Sequence, residues 1–103
     1  MKKFIIFLLL LSGFSLCQAQ DKELNKIWYT AGYQYAQLDV DAGEFYDAEG
    51  NLTLYLEILR WGLERKLGHG ISMETMRYVY RNYIPKFKKG YEDGWRDANK
   101  RNL

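Results

Sequence analysis

Between Lys22 and Val40 the apolar or small residues fall at Leu24, Ile27, Trp28, Ala31, Tyr35 and Leu38. Spacing of three and four gathers them on one face, which predicts an amphipathic helix with Trp28 turned towards a core. A second stripe, Leu52, Tyr55, Leu56, Leu59, Leu63 and Leu67, is widened by Ile58 and Trp61. It predicts the most apolar and therefore most central helix, with Asn51 or Thr53 as cap and Gly68 or Gly70 as left-handed stop. After Ser72, a good N-cap with Glu74 near the positive helix end, a third pattern begins. Met76, Val79/Tyr80, Tyr83, Phe87, Gly90/Tyr91, Gly94 and Ala98 keep one helical phase straight through Pro85. Proline disfavours both helix continuation and a helical residue before it, so a kink or break is expected at 84–85. The expected fold is all-α: a small three- to four-helix bundle whose last helix is long and kinked or broken near Pro85.

Gly90, Gly94 and Ala98 recur every fourth residue and so line one helix face. Glycine within a helix costs about 0.5–1 kcal/mol relative to alanine, so two of them require a packing reason. A face without side chains lets a second helix approach almost backbone to backbone. Gly32-Tyr33-x-x-Ala36-x-x-Asp39 is a fainter copy of Gly90-Tyr91-x-x-Gly94-x-x-Asp97. The two segments are expected to pack together through Gly32, Ala36, Gly90, Gly94 and Ala98. The alternative is that the Gly90/Gly94 face pairs subunits of a self-associating homodimer. Intrahelical ion pairs are expected between Glu92 and Arg96 and between Asp97 and Arg101.

Residues 1–19 read as an export signal, with basic Lys2 and Lys3 and an unbroken apolar run from Phe4 to Leu11. Cleavage after Ala19 would leave a single helical domain over 20–103, periplasmic or extracellular, with no membrane span. The rival reading is a lipoprotein signal with Cys17 as the acylated residue, although Leu16 is not the small residue usual before such a cysteine.

The signal also changes the charge. The full chain carries +2, and without Lys2 and Lys3 it holds 13 basic and 13 acidic residues, which removes the case for nucleic acid as a partner. The charges are segregated: Gln20–Leu59 nets −6 and Arg60–Leu103 nets +6. Either the two halves neutralise each other within one domain, or a bipolar surface meets a charged partner. Cys17 is the sole cysteine, so the exported domain would have no disulfide. Its fourteen aromatics, from Trp28 to Trp95, are the expected source of core area.

Asp39, Asp41, Glu44, Asp47 and Glu49 crowd one stretch punctuated by Gly43 and Gly50. A calcium loop begun at Asp39 fails, because Gly43 falls at position 5 and Gly50 at position 12, where acids belong. One begun at Phe45 places Phe45 and Leu56 at acidic positions. No metal site is therefore expected, and His69, the single histidine, reads as an exposed turn residue. Ser72 is the only serine outside the signal and is explained by capping. No nucleophile–base set, carboxylate cleft or phosphate loop can be assembled, so neither an enzyme nor a cofactor is expected.

Gly32-Tyr33-x-x-Ala36-x-x-Asp39 resembles the Gly-Tyr-x-x-Gly-x-x-Asp-Ala helix of the small exported Rap/Tai-type immunity proteins. In the same order, Gly70-Ile71-Ser72-Met73-Glu74-Thr75-Met76, Val79 and Tyr83-Ile84-Pro85 resemble that family's later pattern. The likeness spans about half of the chain after the signal. The chain departs from the family in having Ala36 for its second glycine and in lacking its disulfide-forming cysteines. The resemblance implies a helical periplasmic protein, monomeric or dimeric, that binds and blocks a cell-wall amidase delivered by type VI secretion.

The function expected is an exported protein-binding module, an inhibitor or immunity factor, contacting its partner through Asp41, Glu44, Phe45, Tyr46 and Asp47. The alternatives are a self-associating envelope protein and a small-ligand site built on the many tyrosines.

Overall fold

A computed structural model describes residues 21–101. The stretch expected to be an export signal, residues 1–19, lies outside the described residues. Four helices follow one another: α1 (Asp21–Asp41), α2 (Ala48–Leu67), α3 (Met73–Val79) and α4 (Ile84–Arg101), with no strand among the described residues. The chain is thus an all-α bundle.

Helix α2 starts earlier than the apolar stripe suggested. Asp47 caps it, its carboxylate accepting the Gly50 N–H at 2.8 Å. Neither Asn51 nor Thr53 serves that role, and the end of the acidic stretch is helix rather than loop. Gly68, at φ 78°, supplies the stop and donates its N–H to the Glu64 carbonyl at 2.8 Å. Ser72 caps α3 as expected, accepting from the Thr75 N–H at 3.1 Å. The break before α4 is a turn over 80–83, just ahead of the expected position. Its hydrogen bonds from Tyr83 N and Ile84 N to the Tyr80 carbonyl, at 2.9 and 3.2 Å, preserve the phase. Pro85 then falls in the first turn of α4, where its missing N–H removes no helical bond.

Helices α1 and α4 run parallel and form the principal packing of the bundle, with α2 laid against both and α3 against α2. Their contact is backbone to backbone. A Cβ on Gly32 would lie 2.9 Å from both the Phe87 carbonyl carbon and the Tyr91 nitrogen, and would collide with the Phe87 oxygen. One on Gly90 would strike the Tyr29 carbonyl, and one on Gly94 the Tyr33 carbonyl. Ala36 and Ala98 are fully buried. The expected pairing of the two glycine-bearing segments is therefore present within one chain. The Gly90/Gly94 face is filled by α1, so it cannot also pair subunits as the self-associating alternative required.

The two copies of the motif also exchange hydrogen bonds. Tyr33 of the first donates to Asp97 of the second at 2.7 Å, and Tyr91 of the second donates to Asp39 of the first at 2.6 Å. Each tyrosine thus meets the aspartate six positions along in the other copy, a local two-fold arrangement about an axis parallel to both helices. Tyr29 to Asp93 at 2.5 Å and Tyr83 to Asp21 at 2.6 Å extend the ladder.

Behind this seam lies an aromatic core. Trp28 is fully buried, with Tyr55 edge-on at 4.9 Å and Tyr80 at 5.1 Å. Phe87 stacks on Tyr55 at 5.4 Å and meets Tyr35 edge-on at 5.7 Å. Burial alone pushes the Tyr35 hydroxyl up to about 12. Three residues of the expected stripes leave the core: Trp61 is 59% exposed, Leu67 57% and Val79 52%. The opposed charges of the two halves meet inside the domain, as Glu49 pairs with Arg77 and Lys88 at 2.9 Å each. The expected Glu92–Arg96 and Asp97–Arg101 pairs do not form. Arg96 turns to Asp93 and Asp97, Glu92 to Lys89, and Arg101 to Asp41. Asp97 is engaged by Tyr33 and Arg101 by Asp41, both across the seam, while Arg96 and Glu92 take nearer partners on their own helix; each choice decides a gain of only tenths of a kcal/mol.

Gly32→Ala and Gly90→Ala test the seam directly. Alanine gains about 1 kcal/mol in helix propensity, but both variants are expected to lose about 2 kcal/mol or more, because each methyl meets fixed backbone. Urea unfolding followed by circular dichroism measures the sign. Stability should also hold level around neutral pH and fall at both extremes. The Asp93 and Asp97 carboxyls are held below the usual carboxylate range, first by the Tyr29 and Tyr33 hydroxyls. Their contribution is complete above the unfolded value, about 4, and is lost as pH falls through the folded ones. The Tyr29 hydroxyl, raised to about 12 first by its bond to Asp93, contributes fully below about 10 and is lost as pH rises through the folded value. Melting temperatures across pH check both edges.

Candidate functional site

Only six residues separate α1 from α2, and the bundle fixes nearly all of them. Gly43, at φ 74°, turns the chain in the left-handed region that glycine adopts without strain. The Glu44 N–H then donates to the Asp39 carbonyl at 2.8 Å. Tyr46 lays its ring edge-on against Tyr91 at 5.0 Å and Trp95 at 5.3 Å. The Asp47 N–H donates to the Tyr91 hydroxyl at 3.2 Å.

Beneath the loop is a buried polar hub. Asp39 is 3% exposed, and its Oδ2 accepts from Tyr91 at 2.6 Å and from Asn51 Nδ2 at 2.7 Å. The same Asn51 amide donates to the Asp47 carbonyl at 2.8 Å. The Tyr91 hydroxyl is pushed well above its ordinary value by burial first and by the bond to Asp39 second. One carboxylate therefore ties together the end of α1, the start of α2 and the middle of α4, and the loop is mounted on that junction.

Against this rigid mount Phe45 stands out. It is 90% exposed although both of its neighbours are tied down. Beside it lies an open depression of about 420 Å³ lined by Asp39, Glu44, Phe45, Asp47, Gly50, Asn51 and Leu54. An aromatic residue displayed in water beside a hollow, on a loop whose neighbouring residues are tied down, is an arrangement that can anchor a protein interface, because little loop freedom is lost on docking.

The five residues expected to contact a partner divide by this geometry. Phe45 and Glu44 border the depression and face solvent. Asp47 lines the depression as well and, with Tyr46, holds the loop to the bundle, while Asp41 closes the end of α1 against Arg101 at 3.7 Å. The sequence does not point to Asp39, Gly50, Asn51 or Leu54 as lining residues. Leu54 offered a signal, being a large apolar residue off the α2 stripe, and it is 40% exposed. His69 is exposed, as expected, with Nδ1 2.9 Å from the Gly70 carbonyl oxygen. Among the described residues no group of three or more His, Cys, Asp or Glu side chains converges as a metal site. Nor is any described helix long and apolar enough to cross a membrane.

Tyr91→Phe removes the hydroxyl shared by Asp39 and Asp47 while keeping the ring. It should cost about 1–3 kcal/mol, the penalty for leaving a buried acceptor short of a donor. In hydrogen exchange, amides of the loop and of the first turn of α2 should lose protection before those of α3.

Compared with family models, curated proteins and solved structures, the chain matches none.

Proposed function

We propose that this is an exported helical protein-binding module that acts as an inhibitor or immunity factor by docking onto an enzyme through the loop at 42–47. The observation that carries the reading is Phe45, exposed on a loop whose flanking residues are all anchored, at the rim of a depression with room for a partner side chain. Loops held by rigid scaffolds are where binding residues concentrate. The acidic rim, Glu44 and Asp47, would steer a basic partner surface and set specificity more than affinity. The resemblance to the Rap/Tai-type immunity proteins supports the inhibitor reading, with a cell-wall amidase as the class of target. The small-ligand alternative gains no comparable support, because the most buried tyrosine rings are spent on the core.

Affinity capture from envelope fractions tests the reading, using the exported protein and its Phe45→Ala variant as baits. Phe45 carries no packing within the bundle, so the variant should melt at the parent temperature. A single stoichiometric enzyme retained by the parent and lost by the variant, about tenfold or more weaker in titration, is the expected result. An enzyme retained equally by both baits would overturn it.

A further inference from the structure

Helix α2 displays an apolar pair on the side turned away from the bundle. Leu54 and Trp61 are seven residues apart, so they share one face about 10 Å from each other along the axis. Both are exposed, Trp61 to 59%, and the 420 Å³ depression lies at the Leu54 end. Charge runs along the same helix in opposite senses at its two ends. Glu44 and Asp47 stand at its start, while Arg65, exposed and one turn beyond Trp61, stands in its last turn.

These features complement themselves under a two-fold rotation. We infer that the depression beside Phe45 receives Trp61 of a second copy, in a symmetric dimer whose two α2 helices cross antiparallel. A two-fold axis between residues 57 and 58 sets Leu54 opposite Trp61 of the other copy, and Gly50 opposite its Arg65. The space a Gly50 side chain would take is filled by the Asp47 carboxylate, so the arginine arriving there meets that acid, with Glu44 beside it on the same rim. Each copy supplies both halves, and the contact closes at two subunits rather than growing into a filament. A parallel arrangement would instead set acid beside acid and arginine beside arginine. This inference rests on reading the depression as a docking surface and names its occupant in the isolated protein. Because Trp61 would occupy the hollow that an enzyme also needs, self-association and partner capture exclude one another.

The interface is small, so association should be weak, and sedimentation equilibrium is run from about 10 µM to about 1 mM on the chain as the cell processes it. Dimer is expected to accumulate across that range, and Trp61→Ala to raise the dissociation constant about tenfold or more. Glu44→Lys and Arg65→Glu should each weaken self-association alone. Mixed together they should form a heterodimer, since each supplies the charge the other lacks. Either of two results would overturn the dimer: a parent protein monomeric at every concentration, or a dimer that Trp61→Ala leaves intact and the charge-swapped mixture fails to restore. Phe45-dependent capture of an enzyme by a strictly monomeric protein would sink the dimer alone and leave the docking reading standing.

Discussion

The close approach of α1 and α4 is the constraint on which the other features of this molecule depend. Two parallel helices lie backbone against backbone because Gly32, Gly90 and Gly94 leave no room for a methyl group. That proximity brings the tyrosine hydroxyls of one helix within reach of the aspartates on the other. In a small domain without disulfides among its described residues, such a seam holds elements together as a cross-link would. It combines dispersion along the backbones with charge-assisted hydrogen bonds, and the bonds fix the register that the glycines alone would leave free to slide.

The seam also places the site. Tyr91 follows Gly90 in the sequence, so once Gly90 is seated against Tyr29, the Tyr91 hydroxyl is aimed at Asp39 near the end of α1. Asn51 joins the same carboxylate from α2, and the short loop between them has little freedom left. Phe45 is presented to solvent by a scaffold that begins with glycine packing some distance away. The stability of the bundle and the placing of the loop are linked here through one buried aspartate. A substitution that loosens the seam should therefore loosen the loop as well, although it lies outside the loop.

Much of the architecture was legible in the sequence, because it depends on periodicity. The stripes through Trp28, Leu56 and Phe87 identified helices, and the recurrence of glycine every four residues identified the seam. The Ser72 cap and the Gly68 stop were legible for the same local reason. What escaped depended on register between elements. The two Gly-Tyr…Asp segments were visible as copies, but nothing in either copy says that its tyrosine bonds to the aspartate of the other. Asp47 as the α2 cap was hidden among acidic neighbours, since capping is decided by backbone geometry rather than by composition. Trp61 looked like core because it lies close to the Leu59–Leu63 stripe, and one helical position decides whether an indole is buried or displayed. The ion pairs on α4 do not follow from local spacing, because Tyr33 and Asp41 arrive from α1 to take Asp97 and Arg101, and i,i+3 partners compete for Arg96 and Glu92.

Proton NMR of the folded protein tests the central claim most directly. If the helices meet at their backbones, the α-protons of Gly90 and Gly94 should show strong through-space cross-peaks to Tyr29 and Tyr33, and the buried Tyr91 hydroxyl proton should exchange slowly enough to observe. Glycine α-protons that see only their own helix, with the Tyr91 hydroxyl proton lost to solvent, would contradict the account.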